Sequence, residues 1–526
     1  MSTFNFITKK IINNLYLILI ITFSFLINWY YSRYGAFPMD TFLHYDSAFR
    51  ILNGEYPIKD YWATTGIAVD FIQALFFKIF GVNWTAYVIH SSLFNLVISI
   101  FTFYILIKFN LKKIYAFLYT ISFSLLAYPI SGTPFVDLHS SFFCLIAIYF
   151  SFLAIKKPET YFNWALVVSF YVLAFFSKQV PTAYLLIFNI LIIFPYLIIN
   201  KKFKPLIVIF LFFLTIILLC LLLIIKLNIS LNLFYIQYFD FPRSIGFRRL
   251  NFFNTSIESF ITHYKFILIP IIILSCLKLK KIINNKISFF SREFVIFLIF
   301  LSLCVSLIMH QMLTKNQIFI YFLIPLSLGM LHCELEKTNL KFKPLFVYLM
   351  IFLLSFSTIK YHLRFNESRK FHELDNVNLS KFEKAITLDE SLKGLFWITP
   401  FYEGSPRQEI QMLKKIKKEI EKKKNEIMLI THYLFLDSII SKDLNAPSRT
   451  NTIDGVSVPM VNSKYFSFYQ KFLKQKIIQK KIKEVYFIKS ENLSKKIFTD
   501  FFEKKCYLEN EDENLIIFKI NPVCLN

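Results

Sequence analysis

The chain has 526 residues, 56% of them hydrophobic and 19% aromatic, yet only 18% charged, against about 25% charged in an average soluble domain. That excludes a disordered chain, and 10 Gly with 7 scattered Cys excludes the collagen-like and disulfide-framework classes. The net charge of +25 sits mostly in short lysine runs between apolar stretches, which is the pattern of basic cytoplasmic loops rather than of a nucleic-acid-binding face.

Apolar segments of spanning length, about 20 residues, fall near 12–32, 86–108, 113–130, 138–155, 161–177, 180–199, 205–227, 258–277, 293–311, 317–333 and 343–360. They predict a polytopic α-helical membrane protein of about eleven spans. The first is too long for a signal-peptide apolar region and no small-residue cleavage site follows it. Lys9 and Lys10 precede it, so the N-terminus is expected in the cytoplasm. From that start, the predicted inside loops hold Lys108, Lys112 and Lys113; Lys156 and Lys157; Lys201, Lys202 and Lys204; Lys278, Lys280, Lys281, Lys286 and Arg292; and Lys337, Lys341 and Lys343. Every one is basic, as the orientation requires. An odd number of spans then divides the chain into a membrane domain, 1–361, and an extracytoplasmic domain, 362–526.

Between the first two spans lies a long outer loop. Pro38 stops the first span, and Phe42, Tyr45, Phe49 and Leu52 recur at helical spacing up to Asn53-Gly54. This predicts an amphipathic helix lying on the membrane. The stretch 68–80 is too short to cross and reads as a second interfacial helix. Asp46 and Asp70 read as surface residues of these helices. The outer loops together collect Asp40, Asp46, Asp60, Asp70, Asp137 and Asp240, whereas helix centres are nearly free of charge. A loop is expected over 228–257.

After 362 the composition becomes that of a soluble domain. Strands are predicted at 394–400, 426–432, 484–490 and 515–520, and helices at 406–424, 435–443, 466–481 and 493–503. The alternation argues a small layered α/β domain, and no Gly-rich phosphate loop opens its helices. The polar stretch from Asn445 to Pro459 is a long loop of the kind that often carries function. Cys144, Cys220, Cys276, Cys304 and Cys333 lie in or beside apolar spans and read as small hydrophobes. Cys506 and Cys524 are placed to form one disulfide if the C-terminal region faces an oxidising compartment. No metal-ligand spacing occurs.

The residues that point to chemistry stand at the outer face. Asp40, just after the first span, has two readings: a helix N-cap, or a general base that takes a proton from an acceptor nucleophile. At that depth a lipid phosphate is the natural leaving group, and its charge needs nearby Lys or Arg. The pattern of Asp40, Ile51-Leu52 with a Gly following, Pro57, Asp60 and an amphipathic helix ending Phe80-Gly81 resembles GT-C fold glycosyltransferases. It is most similar to the branch of bacterial aminoarabinose transferases, protein O-mannosyltransferases and lipopolysaccharide sugar transferases. Asp137 in the next outer loop and Lys178-Gln179 also match positions in that branch. The chain departs from it in having Asp40-Thr41 where Asp-Glu is frequent, and Thr64-Thr65-Gly66 where aminoarabinose transferases have Lys-Pro-Pro.

The resemblance implies an inverting hexosyl or pentosyl transfer from a polyprenyl-phosphate sugar at the outer face of the cytoplasmic membrane. The acceptor, whether lipid, glycan or protein, stays open. Asp40 would be the base, and Asp137 would orient the acceptor or share the proton. Lys178, Gln179, Arg243, Arg248 with Arg249, Lys315, His139 and Asp60 would bind the lipid phosphate or the sugar. For each basic residue the competing reading is snorkelling to the interface or contact with lipid headgroups. For His139, His263 and His310 it is a structural hydrogen bond. Relatives of the fold include users and non-users of a divalent cation, and no ligand cluster here selects between them. The alternative function is a transporter or flippase of lipid-linked glycans, which places charge near the bilayer midplane and breaks helices there.

Overall fold

The computed structural model describes residues 2–35, 38–127, 132–251, 256–314, 320–364, 377–399, 402–489 and 493–525, with backbone alone at 2–14, 38, 251, 259 and 379. Helix α1 (Ser2–Tyr31) is followed by the amphipathic α2 (Pro38–Leu52) and α3 (Ile67–Phe80). Then come α4 (Trp84–Lys108), α5 (Lys113–Ala127), α6 (Val136–Lys156), α7 (Tyr161–Ser177), α8 (Gln179–Ile199) and α9 (Phe203–Lys226). Where a loop was expected over 228–257, the chain instead forms a helical hook: α10 (Leu231–Tyr235), a π-turn (Ile236–Asp240) and α11 (Phe241–Asn251). The helical set closes with α12 (Ile257–Ile283), α13 (Arg292–Thr314), α14 (Leu323–Leu335) and α15 (Lys343–His362).

Six described helices, α4, α6, α8, α9, α13 and α15, are long and apolar enough to cross a membrane. Helix α9 leaves Ile207, Phe210, Leu211, Leu218 and Leu222 exposed; an apolar helix with so much bare apolar surface belongs in lipid. The chain is a multi-pass membrane protein. Two expected spans are shorter than read. Helix α5 has 15 residues and α14 has 13, about 22 and 20 Å at 1.5 Å per residue, less than the roughly 30 Å hydrocarbon core. Residues 128–131 and 315–319, which adjoin them, lie outside the described set.

Small polar clamps tie the helices together. Asn28 donates to the hydroxyls of Ser91 and Ser92, and Asn95 donates to the carbonyls of Ser24 and Ser124, fixing α1 against α4 and α5 as interhelical hydrogen bonds do in an apolar medium. At one end of the bundle the basic loops meet. Lys278 pairs with Glu293 at 2.6 Å and with Glu334 at 2.7 Å, Lys281 joins the same carboxylates, and Lys156 caps the carbonyl of Lys108. Loops assigned to one side by charge alone therefore do lie together.

The C-terminal region carries a four-stranded sheet of order β3 (Ile427–Ile430), β4 (Glu484–Ile488), β6 (Leu515–Ile520), β5 (Tyr507–Glu511), with β3 and β4 parallel and the other pairs antiparallel. A separate ribbon pairs β1 (Glu383–Lys384) with β2 (Phe396–Trp397), so the strand expected at 394–400 stands outside the main sheet. Helices α16 (Pro406–Glu421) and α18 (Phe466–Gln479) match prediction, whereas α17 (Leu436–Ile439) and α19 (Lys496–Thr499) are single turns. A capping box, Ser405 with Gln408, starts α16. Cys506 and Cys524 form a disulfide.

The amphipathic helices part ways. Helix α3 keeps an exposed apolar stripe, Phe71, Leu75 and Ile79, at the spacing of an interfacial helix. Helix α2 does not lie on a membrane: Phe42 and Tyr45 are fully buried, with Phe42 packed 4.7 Å from Phe435, ring centre to ring centre. The C-terminal region covers α2, and its core runs through Phe42, Tyr45, Phe77, Trp84, Trp397 and Leu436 without a break. Asp46 and Asp70, expected on the surface, are consequently 3% and 0% exposed. Helical periodicity identifies an apolar stripe but not whether lipid or protein covers it.

Candidate active site

Gly66 is where the candidate elements meet. It precedes α3 with φ +78°, a backbone region that glycine enters without steric cost. Its N–H donates to the carbonyl of Ser177, the neighbour of Lys178. A Cβ placed on it would stand 2.7 Å from Arg449 Nη1, 3.0 Å from His44 Cε1 and 3.0 Å from Val136 Cγ1. Val136 immediately precedes Asp137, and His44 lies one helical turn after Asp40 on the same face of α2. One glycine thus gathers the first outer loop, the start of α6, the α7–α8 junction and the C-terminal loop.

Asp137 opens α6 and is 3% exposed. Its Oδ1 accepts from Lys178 Nζ at 2.6 Å and lies 2.7 Å from His310 Nε2. Lys178 joins α7 to α8 in extended backbone, which turns its ammonium back toward α6. Arg249 is half-buried in α11 of the hook. His139 Nε2 lies 3.2 Å from His90 Nε2, and His90 Nδ1 lies 2.8 Å from Gln73. Asp40 is half-buried in the first turn of α2.

The other predicted residues take different parts. Gln179 donates to the carbonyls of Thr64 at 2.7 Å and Tyr238 at 2.8 Å, latching the first outer loop to the hook. Asp60 accepts from the Tyr56 N–H at 2.7 Å and closes its own turn. Arg248 donates to the carbonyl of Gly455, and Arg243 is exposed with its guanidinium 5.5 Å from the Phe247 ring centre. His263 is half-buried at the start of α12. Lys315 lies outside the described residues. The structure therefore groups Asp137, Lys178 and His310 and leaves Asp60, Arg243 and Arg248 apart from them.

Sequence reading missed His44, Asp70 and Arg449. Asp70 Oδ1 lies 2.6 Å from His44 Nδ1, its Oδ2 pairs with Arg449 Nη2, and Arg449 Nη1 donates to the carbonyl of Thr65. Burial holds His44 below its usual pKa, and the Arg449 charge adds to that while Asp70 opposes it. A signal existed: Arg449 is the one basic residue in the long polar loop Asn445–Pro459.

A second buried cluster anchors the C-terminal region to α2. Arg50 is 2.9 Å from Glu55 and 3.9 Å from both Asp46 and Asp437, and it stacks 3.9 Å over the Tyr61 ring. Burial and the adjacent Asp437 push Asp46 well above the ordinary carboxylate range, and burial pushes Asp437 to about 6. Burial also works on Glu55, but Arg50, Lys476 and Lys480 overcome it and hold Glu55 at about 2. Lys476 donates to the carbonyl of Asp60 at 2.5 Å, and burial lowers it to about 7.

Among the described residues no group of His, Cys, Asp and Glu is arranged to hold a metal. An open depression of about 460 Å³, lined by Phe80, Asn83, Thr85, Ile89, Glu390, Ser391 and Lys393, contains none of the clustered acids and bases.

Fold and site together define a multi-pass membrane protein with buried acid–base clusters where its amphipathic helices and C-terminal region join the bundle. No family model and no curated protein matches the chain. Among solved structures, the crystal structure of ArnT from Cupriavidus metallidurans bound to undecaprenyl phosphate is similar at 12% identity over 95% of this chain and 97% of that chain, with a TM-score of 0.44. A likeness at that identity and score assigns no residue a role.

Proposed function

We propose that the chain is a GT-C type membrane glycosyltransferase that transfers a sugar, with inversion, from a polyprenyl-phosphate donor to a lipid, glycan or protein acceptor at the outer face of the cytoplasmic membrane. The observation that carries the reading is the convergence on Gly66, which brings the turn after Asp40, the residue before Asp137 and the residue before Lys178 to one point. The reading takes the Asp40 carboxylate to work with Lys178 and His310, which the Asp137 carboxylate holds.

In this reading Asp40 takes the proton from the acceptor hydroxyl or amine. The freed electron pair attacks the anomeric carbon from the face opposite the phosphate. The bond from that carbon to the phosphate oxygen breaks, and polyprenyl phosphate leaves with the bonding pair. Lys178, oriented by Asp137, offsets the charge on the leaving phosphate, with His310 on the same carboxylate and Arg249 assigned to the same phosphate. Lys315, His139 and the exposed Arg243 are assigned to binding of the lipid phosphate or the sugar. Two domains, 1–361 and 362–526, and a cytoplasmic N-terminus complete the assignment. The Cys506–Cys524 disulfide supports an extracytoplasmic C-terminal region, because disulfides persist in oxidising compartments.

Asp40→Asn tests the base. With insertion unchanged, release of undecaprenyl phosphate from labelled undecaprenyl-phosphate mannose, glucose or aminoarabinose in native membranes should fall by about 10²–10⁴-fold. Wild-type release by Asp40→Asn removes Asp40 from the mechanism. Movement of the intact labelled lipid across vesicles, without transfer, replaces the enzyme by a flippase.

A further inference from the structure

Arg449 is delivered to the membrane bundle by the C-terminal region. Trp62 N–H donates to the carbonyl of Pro447, and Arg449 N–H donates to the carbonyl of Trp62, so the loop is stitched to the first outer loop by backbone on both sides of Ser448. The Arg449 side chain then reaches past Thr65 to the fully buried Asp70 of α3. The other oxygen of Asp70 takes His44 of α2 at 2.6 Å. A carboxylate only accepts, so Nδ1 of His44 carries the proton and Nε2 presents a bare lone pair. That Nε2 has no hydrogen-bond partner among the described residues. The other groups facing this trio are Tyr61 from the first outer loop, Tyr87 and His90 from α4, His139 from α6 and Tyr238 from the hook.

We propose that Arg449 is a positioning residue of the transferase site: through Asp70 it fixes the His44 imidazole one helical turn from Asp40, which makes the C-terminal region a working part of the site. The proposal rests on the glycosyltransferase reading above and assigns the C-terminal loop a task within it.

The electrostatic logic gives the proposal its signature. With Arg449 present, the charge of Asp70 is already matched, and the buried imidazole stays neutral. Without it, Asp70 has His44 as its nearest partner and draws a proton onto the ring. An imidazolium one turn from Asp40 then weakens Asp40 as a base.

The test uses the full chain in native membranes with the labelled undecaprenyl-phosphate sugars. Arg449→Met should lower kcat by about 10–100-fold, the usual effect of losing a residue that orients an active group, with donor KM little changed. Its pH–rate profile should gain an ionisation near the free histidine value of about 6.5, with activity lost on the acid side. His44→Gln in the Arg449→Met background should remove that ionisation, and Arg449→Lys should restore the wild-type profile. A wild-type kcat and profile in Arg449→Met overturns the proposal, and so does an added ionisation that persists in the double variant. Should Arg449→Met not accumulate in membranes, Asp70→Asn takes its place: kcat falls by the same order with no added ionisation, and an unchanged kcat is the overturning result.

If the wild type releases no undecaprenyl phosphate from any donor, the glycosyltransferase reading fails on its own. The Arg449–Asp70–His44 coupling is then read from melting temperature. A buried neutral histidine with a lowered pKa makes the wild type lose stability as pH falls below the unfolded value of about 6.5. The gap between wild type and Arg449→Met should therefore narrow between about pH 8 and about pH 5.5, and narrow no further once His44 is Gln. A constant gap overturns the coupling.

Discussion

Replacing Gly66 by Ala tests the convergence directly. The residue sits at φ +78°, where a Cβ costs about 1–2 kcal/mol by itself. The added carbon would also stand 2.7 Å from Arg449 Nη1 and 3.0 Å from His44 and Val136, well inside the roughly 3.5–4.0 Å of ordinary carbon contact. Arg449 cannot swing aside, since its two nitrogens are engaged by Thr65 and Asp70. Relieving the overlap by shifting α2 or the start of α6 adds about 1–3 kcal/mol, as overpacking does, for a total of about 2–5 kcal/mol. A displacement on the order of 1 Å between Asp40 and the Asp137–Lys178 pair is enough for about a 10²-fold loss of rate. The assay is undecaprenyl phosphate release in membranes with matched insertion, alongside melting temperature of the purified protein. Gly54→Ala is the control: Gly54 has φ +83° but nothing within 4 Å of its added carbon, so it should lose about 1–2 kcal/mol of stability and keep the wild-type rate. Wild-type rate and melting in Gly66→Ala would refute the convergence.

Two further outcomes are expected. Asp137→Asn should destabilise the protein by about 3–5 kcal/mol, because it strands Lys178 beside a buried histidine. Combining it with Lys178→Met should cost less than the two alone, with a coupling of about 0.5–3 kcal/mol in a double-mutant cycle on melting temperature; strict additivity would mean the 2.6 Å pair does not act as one. In the C-terminal region, burial raises Glu409 to about 7 while Trp397 Nε1 at 2.6 Å and the Tyr433 hydroxyl at 2.8 Å donate to it. A carboxyl whose folded pKa lies above its unfolded value of about 4.5 gives stability present below that value and lost as pH rises through about 7, about 3 kcal/mol in all. Glu409→Gln should flatten this pH dependence of unfolding between about pH 4.5 and pH 7, followed by tryptophan fluorescence of the full chain; an unchanged slope would place its origin elsewhere.

The site was legible in pieces. Asp137, Lys178 and His310 could be named because each is a polar residue at the end of an apolar run, where only function or a buried partner retains it. Their meeting was not readable, because it depends on how α6, α8 and α13 pack. Thr64-Thr65-Gly66 registered in the sequence only as a departure from a family pattern, yet the glycine there proves to be the point of contact. His44 is at i+4 from Asp40, a spacing visible in the sequence, but nothing local ties it to Asp70 or to Arg449, 379 residues beyond Asp70.

The sequence by itself determined the membrane class, most of the long apolar helices, the grouping of basic loops on one side, the C-terminal strands β3, β4 and β6 and the cysteine pair, because apolar periodicity, charge placement and turn residues act over short stretches of chain. Strand β5, Tyr507–Glu511, escaped it since four of its five residues are exposed and polar or charged in part, so no apolar alternation marks it. Only the tertiary structure decided that α2 lies beneath the C-terminal region while α3 keeps its apolar stripe bare, and that Asp46 and Asp70 are interior. Burial is a property of what packs against a helix, and here the covering residues come from about 340 or more positions further along the chain.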